Sequence, residues 1–203
     1  MSSAPAILFD VDGTLAETER DGHRVAFNRA FTEAGLDWYW DESRYGELLA
    51  VTGGRERITR HAFTHQPAWL AAAGAHERIA HLHQAKNAHY AAIVESGQIR
   101  LRPGVAPLFE AIERRGWQLG LVTTTSRANL EVLLAATLGA RALTRFAVVV
   151  CGEDVARKKP DPEAYTLALA RLGLPAAACL AIEDSRNGLL AAYAAGLRTV
   201  IVR

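Results

Sequence analysis

The sequence predicts an α/β fold, a parallel sheet core interrupted early by a helical insertion, and three observations lead there. Short β-rich runs at 6–11, 117–123, 146–151, 179–183 and 198–202 are continuously apolar rather than alternating, as strands covered on both faces are. Helical patterns at 105–115, 128–138, 162–172 and 187–195 lie between the later runs. Each is followed by a glycine (Gly116, Gly139, Gly173, Gly196) where a left-handed stop residue is wanted. The stretch from about 17 to 97 differs: it has helical periodicity at 25–34, 45–50, 57–63 and 77–94 and little strand character.

The β-α-β-α order implies parallel strands joined by right-handed crossovers. Chemical groups are then expected at the C-terminal ends of the strands. The expected boundaries are an α/β catalytic core over 1–16 and 97–203 and a helical cap over 17–96. Trp38, Tyr39 and Trp40 read as packing inside that cap, since no basic stripe accompanies them. The histidines at 61, 65, 81, 83 and 89 fall among polar helical positions and read as surface groups.

Composition narrows the function. The chain has 23 basic and 22 acidic residues, a net charge of +1 without clustering, so no nucleic acid or anionic membrane partner is expected. No apolar run approaches the ~20 residues of a membrane span, and the N-terminus lacks the basic region of a signal peptide. Cys151 and Cys179 each adjoin an expected strand and read as buried free thiols of a cytoplasmic protein.

Four strand or loop ends carry the chemistry. Phe9-Asp10-Val11-Asp12-Gly13-Thr14 places two carboxylates at i and i+2, on the same side of an extended chain. One can attack phosphorus while the other moves a proton; an Asp-rich turn would look the same. Thr123-Thr124-Thr125-Ser126 offers a hydroxyl and free amides entering a helix, a phosphate cradle or an ordinary helix cap. In Lys158-Lys159-Pro160-Asp161-Pro162 the prolines fix the loop, so Lys159 is held in place. Glu183-Asp184 ends an apolar strand, where adjacent carboxylates need a cation. Hard oxygen ligands of this kind suit Mg2+, although Asp184 or Ser185 could equally cap the next helix.

Taken in order, Asp10-Val11-Asp12-Gly13-Thr14, Thr123, Lys159 and Glu183-Asp184 resemble the four motifs of the haloacid dehalogenase superfamily. The resemblance implies a Rossmann-like parallel sheet core with an inserted α-helical cap domain, and a phosphoaspartate mechanism. Asp10 would be the nucleophile and Asp12 the general acid/base. Thr123, Thr124 and Lys159 would bind phosphate, and Asp10, Asp12, Glu183 and Asp184 would hold Mg2+. The second aspartate favours phosphoryl transfer over dehalogenation.

The cap resembles the β-phosphoglucomutase-like group, most closely xylulose-1,5-bisphosphate phosphatases of the CbbY type. The residues that carry this are Ala16 to Glu19, His23 with Ala26-Phe27-Asn28, Asp37 to Trp40, Tyr45, Thr52 to Arg57, and Lys86 four before Tyr90. Asp21-Gly22 lengthens the first hinge by one residue relative to that pattern. The substrate-binding set implied is Glu19, His23, Tyr45, Gly53, Gly54, Arg55, Arg57 and Lys86, with Arg55 or Arg57 on a distal phosphate and Lys86 either on the sugar or facing solvent. The expected activity is a phosphatase on a small phosphorylated metabolite, a sugar phosphate or bisphosphate, by a monomer or weak dimer. A phosphomutase is the alternative. A non-catalytic domain fits less well, because every motif acid and the lysine are present.

Overall fold

The structure, a computed structural model, describes residues 4–202. The chain forms two compact units: Thr18–Gln98, and the segments before and after it.

The second of these is the α/β unit. Strands β1 (Ala6–Phe9), β2 (Gln118–Val122), β3 (Phe146–Val150), β4 (Cys179–Glu183) and β5 (Arg198–Ile201) form one sheet in the order β3-β2-β1-β4-β5. All neighbours are parallel, with Phe9 in register with Leu121 on one side and Ile182 on the other. Helices α6 (Val105–Arg114), α7 (Arg127–Leu138), α8 (Glu163–Leu172) and α9 (Arg186–Ala194) make the crossovers. Strand order reverses about β1, so the ends of β1, β2 and β4 adjoin at the switch point where such sheets bind ligands. Below it, Leu8, Val122, Val148, Val150, Tyr165 and Ala181 share one buried cluster. Phe9 packs edge-on against Phe109, whose ring meets Phe146 in turn. The Cys151 and Cys179 thiols are free and buried, and burial pushes Cys151 up to about 12.

Thr18–Gln98 is helical throughout: a π-helical turn (Glu19–His23), then α1 (Arg24–Glu33), α2 (Glu42–Leu48), α3 (Gly54–His65), α4 (Pro67–Ala71) and α5 (Ala75–Glu95). The π turn includes Asp21-Gly22, the pair at which the sequence suggested a lengthened hinge. Trp40 is fully buried against Phe27 and Phe31, and Asn28 brackets its backbone, accepting from the Trp40 amide and donating to its carbonyl at 2.8 and 2.9 Å. Trp38 is buried as expected, but Tyr39 between them is 69% exposed, because consecutive extended residues alternate sides. Among the described residues no helix is long and apolar enough to cross a membrane.

His61 corrects the surface reading of that histidine. It is buried, accepts from Trp40 Nε1 at 3.0 Å through Nδ1, and packs against Trp38. Burial, helped by His65 and Arg44, lowers it to about 4. As pH falls from about 6.5 to 4 the unfolded chain takes a proton that the folded one refuses, so the stability held above that window is lost through it. Between pH 7 and pH 5 the unfolding free energy is expected to drop by about 2 kcal/mol from this group. Urea unfolding of the parent and of His61→Gln checks this; the substitution should flatten that part of the profile.

Candidate active site

Asp10 follows β1 directly, and its amide donates to the Ile182 carbonyl at 2.9 Å, which ties the end of β1 to β4. Lys159, only 4% exposed, reaches the same place from the loop before α8. Its ammonium donates to Asp10 Oδ1 at 2.7 Å, to the Val122 carbonyl at 2.7 Å and to Glu183 Oε1 at 2.5 Å. Three acceptors from the ends of β1, β2 and β4 therefore converge on one nitrogen. The Asp184 carboxylate lies beside them, held by Thr14 Oγ1 at 3.3 Å.

Ligand oxygens of Asp10, Glu183 and Asp184 all lie within 4.8 Å of one another. Burial, opposed by Lys159 and reinforced by Glu183 and Asp184, holds the Asp10 carboxyl well above the usual carboxylate range. Burial alone would pull Lys159 down, but Asp10 and Glu183 outweigh it and hold the ammonium well above its ordinary value. The lysine offsets one of three negative charges, and a hard divalent cation would answer the remainder. Glu183 Oε1 is occupied by Lys159 and by the Tyr165 hydroxyl at 2.6 Å, whereas its buried Oε2 has no hydrogen-bond partner among the described residues. An all-oxygen set with an unanswered buried carboxylate oxygen fits Mg2+.

Two glycines make room for these acids. A Cβ on Gly13 would collide with Asp184 Oδ2, and Gly13 has φ 86°, a conformation glycine adopts without strain. A Cβ on Gly188 would collide with Glu183 Oε2. Asp12 is half-buried at a bridge to Ala16.

Buried Thr123 directly follows β2, and its amide is paired to the Val150 carbonyl. Its hydroxyl accepts from the Thr125 amide at 3.1 Å, curling the loop ahead of α7, while Ser126 caps that helix through the Asn129 amide. Thr124 is half-buried in the same turn. Gly152 fastens this loop from β3 by donating to the Thr125 carbonyl at 2.9 Å. Ser185 caps α9 through the Gly188 amide, which leaves Asp184 to the acid cluster.

In the helical unit the substrate-binding candidates fall into two bonded groups. Tyr45 donates to Glu19 Oε2 at 2.5 Å, and Arg57 donates to the Tyr45 oxygen at 2.9 Å, to Glu19 Oε1 at 3.3 Å and to the Val51 carbonyl at 2.9 Å. Lys86 is buried rather than solvent-facing: its ammonium lies 2.8 Å from His23 Nδ1, near the Phe27 and Tyr90 rings, and His23 stacks on Tyr90. Gly53 has φ 101° ahead of α3. Gly54 has a packing reason too, since a Cβ there would come 2.5 Å from the His83 ring. Arg55 is exposed.

Residues 4–196 match the model of the haloacid dehalogenase-like hydrolases. The chain belongs to that family. Among curated proteins, protein CbbY of Rhodobacter capsulatus is 50% identical over 196 residues, 97% of this chain and 84% of that protein. Among solved structures, the D10N mutant of CbbY from Rhodobacter sphaeroides, in complex with xylulose-1,5-bisphosphate, superposes with a TM-score of 0.89 at 47% identity, covering 98% of this chain and 86% of that one. The phosphate complex of CbbY from the same organism gives 0.88 at 48% identity, with the same coverage. This haloacid dehalogenase-like hydrolase is thus a phosphatase closely related to CbbY, a phosphoric monoester hydrolase.

Proposed function

We propose that this hydrolase is a Mg2+-dependent sugar-bisphosphate phosphatase, acting on a xylulose-1,5-bisphosphate-like substrate through an aspartyl phosphate on Asp10. The observation that carries the reading is the convergence of Asp10, Glu183, Asp184 and the Lys159 ammonium at the switch point of the sheet. The likeness to a CbbY that binds xylulose-1,5-bisphosphate supports the substrate class.

In this mechanism an Asp10 carboxylate oxygen bonds to phosphorus as the ester P–O bond breaks. The bond's electron pair stays on the leaving oxygen, which takes the Asp12 proton. Asp12 then accepts a proton from the water that attacks the aspartyl phosphate, releasing inorganic phosphate and restoring Asp10. Thr123 and Thr124, with the backbone amide that follows Thr123, hold the phosphoryl oxygens, and Lys159 offsets charge between Asp10 and the incoming dianion. Asp10, the Asp12 carbonyl, Asp184 and Glu183 would hold Mg2+, which supplies charge neutralisation for the transferring group. The core over 1–16 and 97–203 supplies this chemistry. The cap over 17–96 supplies substrate binding through Glu19, His23, Tyr45, Gly53, Gly54, Arg55, Arg57 and Lys86; the Glu19–Tyr45–Arg57 cluster supports that role.

A phosphate-release screen with Mg2+ tests the reading. Xylulose-1,5-bisphosphate is expected to exceed pentose monophosphates by about tenfold or more in kcat/KM, because binding of the remote phosphate is used at the reacting one. Chelation should stop the reaction. Turnover indifferent to chelator would overturn the metal assignment, and conversion of a hexose 1-phosphate to the 6-phosphate with trace bisphosphate would mark a mutase.

A further inference from the structure

The Asp10 loop and the strand that brings the chain back after Gln98 are bound to each other inside the α/β unit. Ala16 and Leu101 form an antiparallel bridge, and the Arg102 amide donates to the Leu15 carbonyl at 2.7 Å. The half-buried Arg102 side chain then turns toward the loop. Its Nη1 donates to the Gly13 carbonyl and lies 3.8 Å from Glu17 Oε2. The Gly13 amide donates to the Ala16 carbonyl at 2.9 Å. Both peptide groups of Gly13 are thereby fixed, one by the loop itself and one by a charged donor from residue 102. A glycine at φ 86° follows Asp12 and has the widest backbone freedom of any residue, so the bond that fixes it also fixes the direction of the preceding side chain. Charge-assisted bonds of this kind are roughly twice as strong as neutral ones.

We propose that Arg102 is a positioning residue whose guanidinium fixes the Gly13 turn so that the Asp12 carboxyl meets the leaving oxygen of the substrate. The proposal rests on the reading of Asp12 as general acid given above. When the P–O bond breaks, a sugar alkoxide needs the Asp12 proton, whereas p-nitrophenolate leaves almost unaided. Loosening Asp12 therefore penalises the phosphorylation step of alkyl phosphates selectively, and kcat/KM reads that step, whereas the later attack of water on the aspartyl phosphate is common to both esters. Loss of general structure would slow both kinds of ester alike.

The experiment compares kcat and KM of the parent, Arg102→Met and Arg102→Lys with Mg2+, on p-nitrophenyl phosphate and on an alkyl phosphate that the parent hydrolyses. Arg102→Met is expected to lose about tenfold or more in kcat/KM on the alkyl ester, since small misplacements of a catalytic group are costly. On the aryl ester kcat/KM should stay within about twofold, and Arg102→Lys should recover most of the alkyl kcat/KM. Equal losses of kcat/KM on both esters, or none, would overturn the proposal. Asp12→Ala is run alongside: if it shows strong leaving-group bias and Arg102→Met does not, only the role of Arg102 falls. If Asp12→Ala itself shows no bias, the general-acid reading falls. Should Arg102→Met fail to fold, Arg102→Gln and Arg102→Lys carry the same comparison, with melting temperature certifying each.

Discussion

Asp10→Asn is expected to reduce turnover by roughly four orders of magnitude or more while leaving the fold as stable as the parent, or more so. The amide keeps the shape of the carboxylate, and its Oδ1 can still accept from Lys159, which donates there at 2.7 Å. What it loses is the charge that attacks phosphorus. It also loses a buried negative charge crowded by Glu183 and Asp184, whose proximity and burial hold the Asp10 carboxyl well above its ordinary range. Removing an unfavourable buried charge does not weaken the protein, so activity and stability should separate. Phosphate release and thermal melting of the same preparation check both halves.

Lys159→Met is expected to act on both at once. The methionine fills similar volume but leaves Asp10 and the fully buried Glu183 facing one another without the ammonium between them. Breaking a buried pair by removing one partner costs about 3–5 kcal/mol, a fall of roughly 10 °C in Tm for a chain of this size. Turnover should fall by at least about a hundredfold, because a fixed cation beside the transferring group is lost. Lys159→Arg would not preserve the site either: three acceptors from three strand ends converge on a single nitrogen, which a planar fork cannot reproduce. The two sites share one network, so Asp10→Asn placed on top of Lys159→Met should restore part of the lost Tm. Melting curves of the two single variants and the double variant measure this coupling. A Lys159→Met protein that melts like the parent and still turns over would contradict the account.

The sheet was legible because β1, β2 and β4 are apolar and largely buried, while β5, which begins Arg198-Thr199, is an exposed edge that departs from the expected burial on both faces. Its chemistry was legible because each motif sits where a strand stops. Asp10, Thr123 and Glu183 could be placed at strand ends from the runs alone, whereas the adjacency of β1, β2 and β4 emerges only with the sheet order. The partners that fix those residues were not legible. Tyr165, which donates to Glu183, sits on α8 among aliphatic residues and carries no local mark of its role. Thr14 could have been suspected as a polar residue beside the acids, and Gly188 as a glycine inside a helix, a placement that costs stability unless something approaches closely. Arg102 reaches Gly13 across 89 positions of sequence, beyond any periodicity.

In the helical unit α4 escaped notice because five residues beginning at Pro67, in an alanine-rich stretch, have no polar face to set a period. The burial of His61, read as a surface group, and of Lys86, left open between sugar and solvent, escaped for a different reason. Their surroundings are polar in sequence but aromatic in space, and each is buried against a partner 21 or 63 residues away.

The central claim is covalent: phosphoryl transfer passes through Asp10. Acid quenching within the first turnover, followed by peptide mass spectrometry, tests it most directly on xylulose-1,5-bisphosphate or p-nitrophenyl phosphate. The account predicts an acid-stable, hydroxylamine-labile phosphoryl group on the peptide that contains Asp10, and none in Asp10→Asn. Turnover at the parent rate with that peptide unmodified at every quench time, or with the label on another residue, would contradict it.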